Sequence, residues 1–260
     1  MNQTKKRSLV SPTGYDGEAF DSGSVRYVAH RGFSGAAPEN TLPAYELAGA
    51  AGFWGGEFDT TVTSDGKWVV IHDETVDRTT NGSGRVSDMT FERIRALSVT
   101  GGNNVERYPH LQVPTLSEVL ATCKQVGIVP VIEIKSGSYT EEQYLTLIED
   151  VQKLGLETKC IVISFSYEVL ENIRRLNPYL PIQFLADITD DNIERIKRLG
   201  NAGFDSNRTR LTKPLIEQAH RAGLIVNTWT VNNATEAQQL INAGVDYIST
   251  DHLIGGVTHD

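Results

Sequence analysis

The sequence contains few cysteines and no long apolar run. Cys123 and Cys160 are the only two cysteines among 260 residues. Neither belongs to a C-x-x-C pair, which argues against a zinc knuckle or a dithiol redox site. Two isolated thiols are typical of reduced, half-buried residues in a cytoplasmic protein. No stretch approaches the ~20 apolar residues of a membrane span, and no hydrophobic region follows the basic residues 5–7, so no signal peptide is seen. We therefore expect a cytoplasmic protein.

The sequence also lacks an excess of basic residues. It carries 24 Lys and Arg against 33 Asp and Glu, a formal net charge of −9. Non-specific nucleic-acid binding depends on Lys and Arg that neutralise phosphates, so this class of function is disfavoured. A small phosphate ester is still an acceptable substrate, because a metal ion and a few local cations can reverse the sign of charge inside a cleft.

The chain divides into a short leader and one repetitive domain. Residues 1–24 are rich in Ser, Gly and Asp and are expected to be flexible. From residue 25 to 257, short β-branched apolar runs alternate with segments of helical period. The predicted strands are 25–29, 56–61, 69–72, 129–134, 161–165, 182–186, 204–206, 224–230 and 247–249. The predicted helices are 41–51, with Asn40 as N-cap, and 116–126, 141–154, 167–176, 191–199, 213–222 and 234–243.

This alternation predicts a parallel sheet flanked by helices, either closed into a barrel or open and doubly wound. No G-x-G-x-x-G follows the first strand, which disfavours a dinucleotide-binding open sheet. The number of repeats, near eight, favours a (β/α)8 TIM barrel. Residues 74–112 interrupt the rhythm with turn-rich sequence. A connection of that length is usually a functional element, so it is interpreted as a small insertion after the second strand region.

Acidic side chains occur inside two of the apolar strands. Glu57 and Asp59 are two residues apart and therefore project from the same face of one strand, and Glu133 lies within another. Carboxylates inside apolar strands are costly unless they are paired or bind a metal. Three carboxylates from two strands predict a site for one hard divalent cation, Mg²⁺ or Ca²⁺, with Mn²⁺ also compatible, rather than zinc.

Two histidines end apolar strands close to these acids. His30 and His72 are predicted to act as a general acid–base pair, since imidazole titrates near neutrality. Arg31 and Lys135 are predicted to neutralise the phosphate oxygens. No G-x-S-x-G motif is present and neither cysteine has a matching context, so no enzymic nucleophile is identified. The set favours phosphodiester cleavage over acyl transfer.

The sequence contains an ordered series of motifs that resembles a known family. It comprises H-R-G at residues 30–32, P-E-N-T at 38–41, E-x-D at 57–59, T-x-D-G at 63–66, H-D at 72–73, R-T-T-x-G at 78–82, V-P-T-L at 113–116, E-x-K at 133–135, S-F at 164–165, W-T-V-N at 229–232 and T-D at 250–251. This string resembles the glycerophosphodiester phosphodiesterase family from about residue 25 to 253. One departure is that His252-Leu253 follow the last motif, where family members commonly have a proline.

The resemblance implies a (β/α)8 barrel that hydrolyses a glycerophosphodiester to glycerol 3-phosphate and an alcohol. In related enzymes a substrate hydroxyl next to the phosphate attacks first, giving a cyclic phosphate that water opens. The implied site consists of the metal ligands Glu57, Asp59 and Glu133, the acid–base pair His30 and His72, and the substrate-binding residues Arg31, Lys135, Phe165 and Trp229. Of the two histidines we take His30 as the base and His72 as the acid.

Other functions remain open at this point. The same site is also compatible with poly(glycerol phosphate), the backbone of wall teichoic acids, as the substrate instead of small diesters. A catalytically silent barrel that binds phosphate ligands or serves as an interaction module is a further alternative. A phospholipase D-like activity on intact lipid is disfavoured, because the sequence has no evident apolar loop for membrane docking. The oligomeric state is not predicted.

Overall fold

A computed structural model describes residues 25–254, so the predicted leader 1–24 and the domain end 255–257 lie outside the described residues. Within this range the strands form one sheet. They are β1 (Arg26–Ala29), β2 (Gly55–Val62), β3 (Trp68–Val70), β4 (Val129–Ile134), β5 (Ile161–Ser164), β6 (Ile182–Phe184), β7 (Ala202–Asn207), β8 (Ile225–Trp229) and β9 (Tyr247–Thr250).

Eight of these strands close into a barrel. Their order is β1-β9-β8-β7-β6-β5-β4-β2, and a parallel pairing between β1 and β2 completes the ring. All pairings around the ring are parallel. The predicted (β/α)8 barrel is confirmed, and the open doubly wound sheet is excluded.

Helices connect consecutive barrel strands. They are α1 (Leu42–Ala51), α2 (Phe91–Arg95), α3 (Leu116–Val126), α4 (Glu141–Lys153), α5 (Tyr167–Leu176), α6 (Asp190–Leu199), α7 (Lys213–Arg221) and α8 (Ala234–Ala243). Side chains cap most of their first turns. Thr115 and Glu118, for example, form a reciprocal capping box at the start of α3. No helix within residues 25–254 is both long enough and apolar enough to span a membrane.

Apolar side chains alternate between the two faces of the barrel strands. In β5, Val162 packs outward in the main core between strands and helices, while Ile161 and Ile163 belong to a smaller cluster inside the barrel. Both faces of a parallel strand are buried in this architecture, which explains why the strands appear in the sequence as nearly continuous apolar runs.

The predicted strand 69–72 is not a barrel strand. It is the short β3, which pairs antiparallel with β2 after a tight turn at residues 63–67. Gly66 permits this turn, because it has φ +77°. The hairpin returns the chain to the barrel rim, where the backbone N–H of Ile71 donates to the carbonyl of Asp59 at 3.0 Å. His72 therefore reaches the rim by way of a hairpin and not at the end of a parallel strand.

The segment between β3 and α3 packs around an apolar cluster of its own. Val76, Met89, Ile94 and Val99 are among its buried members. Its loop also contacts the connection between β1 and α1, since the amide group of Asn103 donates to the carbonyl of Ser34 at 2.7 Å and that of Asn104 to the carbonyl of Ala36 at 3.0 Å. This segment therefore forms part of the barrel rim above β1.

Candidate active site

The nine residues predicted as site residues come together at one end of the barrel. All of them line a cavity of about 150 Å³ at the carboxyl ends of the strands. In (β/α)8 barrels this end carries the active site, because the loops that follow each strand converge there.

Three carboxylates form the buried base of this cavity. Glu57, Asp59 and Glu133 are 3%, 2% and 8% exposed. One oxygen atom from each lies within 4.8 Å of those from the other two. Strand register explains the convergence, because Asp59 of β2 is paired directly with Glu133 of β4.

Two cations compensate part of this negative charge. The Lys135 ammonium contacts Asp59 at 2.5 Å and Glu133 at 2.8 Å, and the Arg31 guanidinium lies 3.5 Å from Asp59. Burial alone would raise the pKa of Asp59, but Lys135 and Arg31 outweigh it and lower the pKa to about 2. Burial, followed by the charges of Asp59 and Glu133, raises the pKa of Glu57 well above its ordinary value.

The donor set fits a divalent cation. The three carboxylates lie so close together that Lys135 and Arg31 do not compensate all of their negative charge. The ionised form of Glu57 is therefore unfavourable. A bound cation would remove this cost. The ligands are all oxygen atoms, as hard cations prefer. Glu57, Asp59 and Glu133 are therefore compatible with a metal ion, and its identity is not fixed by the ligand set.

Backbone and side-chain contacts hold the carboxylates in place. Arg31 has a left-handed conformation, φ +56°, and its backbone N–H donates to the Glu57 carboxylate at 2.7 Å. The amide of Asn40 donates to the Asp59 carboxylate at 2.8 Å. The prediction of Asn40 as N-cap of α1 is wrong: the N-cap is Thr41, and Asn40 has φ +57° with its side chain turned towards Asp59.

Each of the two histidines has a carboxylate partner on the same ring atom. Nδ1 of His30 lies 2.7 Å from Asp251, and Nδ1 of His72 lies 2.7 Å from Asp73. The other ring nitrogen, Nε2, is then the one left for a proton transfer in the cavity. Burial first, and then the charges of nearby Lys135 and Arg31, lower the pKa of His72 despite the opposing carboxylates.

A network of ion pairs connects Asp73, the partner of His72, to Arg31. Arg78 from the segment after β3 donates to Asp73 at 2.6 Å and to Glu39 at 2.8 Å. Glu39 also accepts a hydrogen bond from Arg31 at 3.0 Å. Burial would raise the pKa of Glu39, but the two arginines outweigh it and lower the pKa. Glu39 therefore fixes the orientation of Arg31.

Sequence reasoning missed most of these supporting residues. Asp73 is adjacent to His72 in the chain, but Asp251 is 221 positions from His30. Asp251 directly follows β9 and Asp73 lies three residues beyond β3. Each ends a short motif of the series, T-D and H-D, and that was the available signal. Glu39 and Arg78 belong to the P-E-N-T and R-T-T-x-G motifs, but no role was predicted for either side chain.

The opposite wall of the cavity is aromatic and apolar, with one buried acid. Phe165, which is 50% exposed, and Trp229 meet edge to face with ring centroids 5.8 Å apart. Asp205 of β7 lines the same wall and is 2% exposed. Burial, and then the charge of Glu133, raise the pKa of Asp205 well above its ordinary value. Sequence reasoning did not single out Asp205.

Two further cavities differ in their chemistry. A polar cleft of about 410 Å³ shares His30 and Arg31 with the active-site cavity and is also lined by Asn103 and His252. A larger cavity of about 720 Å³ lies at the opposite end of the barrel, around the beginnings of β4 and β5. Among the described residues its lining contains no Asp, Glu or His, so it offers no carboxylate or imidazole for acid–base catalysis or metal binding.

Comparisons with known proteins show what the chain as a whole is similar to. The sequence model of the glycerophosphoryl diester phosphodiesterase family matches residues 30–254. A glycerophosphodiester phosphodiesterase of Caldanaerobacter subterraneus subsp. tengcongensis is 35% identical over 229 residues, covering 86% of this chain and 93% of that protein. One of Bacillus subtilis is 34% identical over 273 residues, covering 97% and 88%.

A solved structure shows the same relationship. A phosphodiesterase from Oleispira antarctica, in complex with the product sn-glycerol-3-phosphate, has a TM-score of 0.82 and 28% sequence identity. The alignment covers 88% of this chain and 93% of that chain.

Proposed function

Because the chain belongs to the glycerophosphoryl diester phosphodiesterase family and is a phosphoric diester hydrolase, we propose that it cleaves small glycerophosphodiesters by acid–base catalysis with His30 and His72. The products are sn-glycerol 3-phosphate and an alcohol. One observation carries the proposal. Two histidines, each bound through Nδ1 to a carboxylate, line the same cavity as three buried carboxylates.

Glu57, Asp59 and Glu133 hold one divalent cation, Mg²⁺ or Ca²⁺, with Mn²⁺ also suited to the ligands. Bound there, the cation would polarise the phosphoryl group as a Lewis acid. Arg31 and Lys135 add positive charge at the same place and stabilise the negative charge that develops on the phosphate oxygens.

His30 acts as the base that takes the proton from the substrate hydroxyl next to the phosphate. Its partner Asp251 also accepts hydrogen bonds from Ser34 at 3.0 Å and Asn232 at 2.6 Å. These contacts hold the carboxylate in place, so that it stabilises the imidazolium formed when Nε2 takes up the proton. The hydroxyl oxygen then attacks phosphorus and gives a cyclic phosphate, which explains why no enzymic nucleophile is required.

His72 acts as the acid that protonates the departing alcohol oxygen. Its partner Asp73 shares its charge with Arg78, which donates two hydrogen bonds to it at 2.6 and 3.0 Å. A carboxylate that also binds an arginine attracts the proton of the imidazolium less strongly, which helps His72 to release its proton. In the second step the roles reverse and water opens the cyclic phosphate.

The two halves of the substrate occupy different surroundings. Phe165 and Trp229 pack against the carbon atoms of the glycerol in the small cavity. The leaving alcohol lies in the adjoining polar cleft, next to His252. That cleft is open and polar, which suits hydrophilic alcohols such as choline or ethanolamine.

A substrate panel tests the proposal. Release of glycerol 3-phosphate should be measured from glycerophosphocholine, glycerophosphoethanolamine and poly(glycerol phosphate), each with Mg²⁺, Mn²⁺ and Ca²⁺. We expect turnover of the small diesters to exceed turnover of the polymer. The reverse order would favour the teichoic-acid hypothesis, and no release from any substrate would favour a silent barrel.

Variants test the assignment of the histidines. His72→Ala and His30→Ala should each lower kcat by about 10²–10⁴-fold. His220→Ala is the matched control, because His220 also binds a carboxylate, Asp246 at 2.9 Å, but lies on α7 outside the cavity. Equal activity of His72→Ala and the control would contradict the assignment.

A further inference from the structure

Asp205 differs from every other acid in the active-site cavity. It projects from β7, which lies four strands from β2 in either direction around the ring of eight. It therefore faces Glu57 and Asp59 from the opposite wall. The described residues beside it on this wall are largely apolar and include Ile163, Leu185 and Trp229.

One oxygen of Asp205 is buried without a hydrogen-bond partner. Within residues 25–254, Oδ1 accepts no hydrogen bond. The three acids at the base of the cavity are satisfied, since Glu57 accepts from a backbone N–H and Asp59 and Glu133 accept from Lys135. A buried polar atom without a partner costs about 1–3 kcal/mol. Such an atom in a binding cavity is explained if the ligand supplies the partner.

Asp205 is not a further ligand of the cation site. The group of carboxylate oxygens within 4.8 Å of one another comprises Glu57, Asp59 and Glu133 and does not include Asp205. A partner for Oδ1 must therefore come from the part of the substrate that extends away from the phosphate.

We propose that Asp205 determines specificity for glycerol by accepting a hydrogen bond from its terminal hydroxyl group, the one remote from the phosphate. This inference rests on the proposed function of the same cavity. The phosphate is held by Arg31 and Lys135, and the hydroxyl beside it must reach His30. Only the terminal hydroxyl is then left to reach the far wall. Ser249, the other polar residue on this wall, already has a neighbour, since its hydroxyl lies 3.4 Å from the amide of Asn227.

Two isosteric variants distinguish an effect of the hydrogen bond from an effect of side-chain shape. Asp205→Asn keeps a carbonyl oxygen that accepts a hydrogen bond. Asp205→Leu has the same branching and no polar atom. Each is assayed on glycerophosphocholine and on the choline diester of 2-hydroxyethyl phosphate, which keeps the reacting hydroxyl and lacks the terminal hydroxymethyl group.

We expect a loss that depends on the substrate. Asp205→Leu should lower kcat/KM for glycerophosphocholine by about 10- to 100-fold and leave the hydroxyethyl diester nearly unchanged. Asp205→Asn should lower kcat/KM for glycerophosphocholine much less. An equal loss on both substrates would indicate a general structural role and overturn the proposal, as would an unchanged kcat/KM in the Leu variant.

Folding is checked by thermal denaturation. The Leu variant removes an unpartnered buried oxygen, so its Tm should not fall below that of the wild type. If Leu overpacks the wall and the variant does not fold, Asp205→Ala takes its place and must show the same dependence on substrate.

A binding measurement distinguishes failure of this inference from failure of the proposed function. Glycerol 3-phosphate should bind the wild type more tightly than 2-hydroxyethyl phosphate does in calorimetry, and Asp205→Leu should abolish the difference. If no diester is hydrolysed but this preference is present, the proposed function fails and the role of Asp205 stands. Equal binding of the two phosphates to the wild type refutes the role of Asp205.

Discussion

Removal of the Asn40 side chain should destabilise the protein and weaken cation binding together. Asn40 is buried between α1 and β2 and makes three hydrogen bonds. Its amide donates to the Asp59 carboxylate at 2.8 Å, and its oxygen accepts from the Tyr45 hydroxyl at 3.1 Å and from the Asp59 backbone at 3.3 Å. It also has φ +57°, a conformation that glycine adopts freely and alanine does not.

The magnitude follows from these contacts. A hydrogen bond to a charged group contributes about 1.5–3 kcal/mol, and a neutral one about 0.5–1.5 kcal/mol. Asn40→Gly should therefore lower the free energy of unfolding by about 2.5–6 kcal/mol in total. This is a large share of the ~5–15 kcal/mol by which a typical protein is stable. At about 2–4 °C per kcal/mol, the Tm should fall by roughly 5–24 °C. Asn40→Ala should lower the free energy of unfolding by about 1 kcal/mol more than Asn40→Gly, because the alanine Cβ disfavours the left-handed backbone.

Thermal denaturation followed by circular dichroism measures these differences, and calorimetry measures cation affinity. Loss of the contact that orients Asp59 should weaken cation binding by about 10- to 100-fold. Tyr45→Phe serves as the control, since it removes a single neutral hydrogen bond and leaves the contact with Asp59. Its Tm should fall least of the three variants.

Two results would refute this reasoning. If Asn40→Gly unfolds at the wild-type temperature, the side chain does not contribute the hydrogen bonds described. If Gly and Ala variants have the same Tm, the left-handed backbone of residue 40 carries no cost for alanine.

Three further predictions follow from the same structure. Chelation by EDTA should abolish turnover and added Mg²⁺ or Ca²⁺ should restore it, whereas full activity in metal-free buffer would exclude a catalytic cation. Burial raises the pKa of Cys160 to about 12 and raises that of Cys123 further. Neither thiol should therefore react with a thiol reagent at pH 8 until the protein unfolds. Rapid labelling of the native protein would contradict their burial. Burial would raise the pKa of Asp251, but the hydrogen bond and charge of His30 hold it well below its usual value. The pair thus stabilises the fold above about pH 4 and loses this effect as pH falls towards the lower folded pKa. The Tm of Asp251→Asn should decline less steeply with acidification below pH 4 than that of the wild type, and parallel declines would show that the pair does not contribute.

Local patterns in the sequence were sufficient for the barrel and for the seven charged and histidine residues predicted at the cavity. Strands and helices repeat with their own periods, and polar residues in the second half of a parallel strand point to the same end of a barrel. Glu57, Asp59 and Glu133 could be grouped on this basis alone. The motif series added Phe165 and Trp229, which composition and spacing do not distinguish from core aromatic residues.

The tertiary structure decided the features that depend on long-range contacts. The apolar run before His72 resembles a barrel strand in sequence, but only the pairing with β2 shows that it returns as a hairpin. Asn40 has the residue type and position of an N-cap, and only the approach of Asp59 shows its actual role.

The partners of the charged groups were equally inaccessible from sequence. Asp251 and His30 meet only because β9 pairs with β1 when the barrel closes. An unpartnered oxygen on Asp205 becomes evident only when every neighbour is in place. The sequence alone thus determined nine of the residues that line the site, although not Asp205, because strand position, periodicity and motifs are local properties. Hydrogen-bond partners and charge balance are properties of packing, and the closed barrel was needed to decide them.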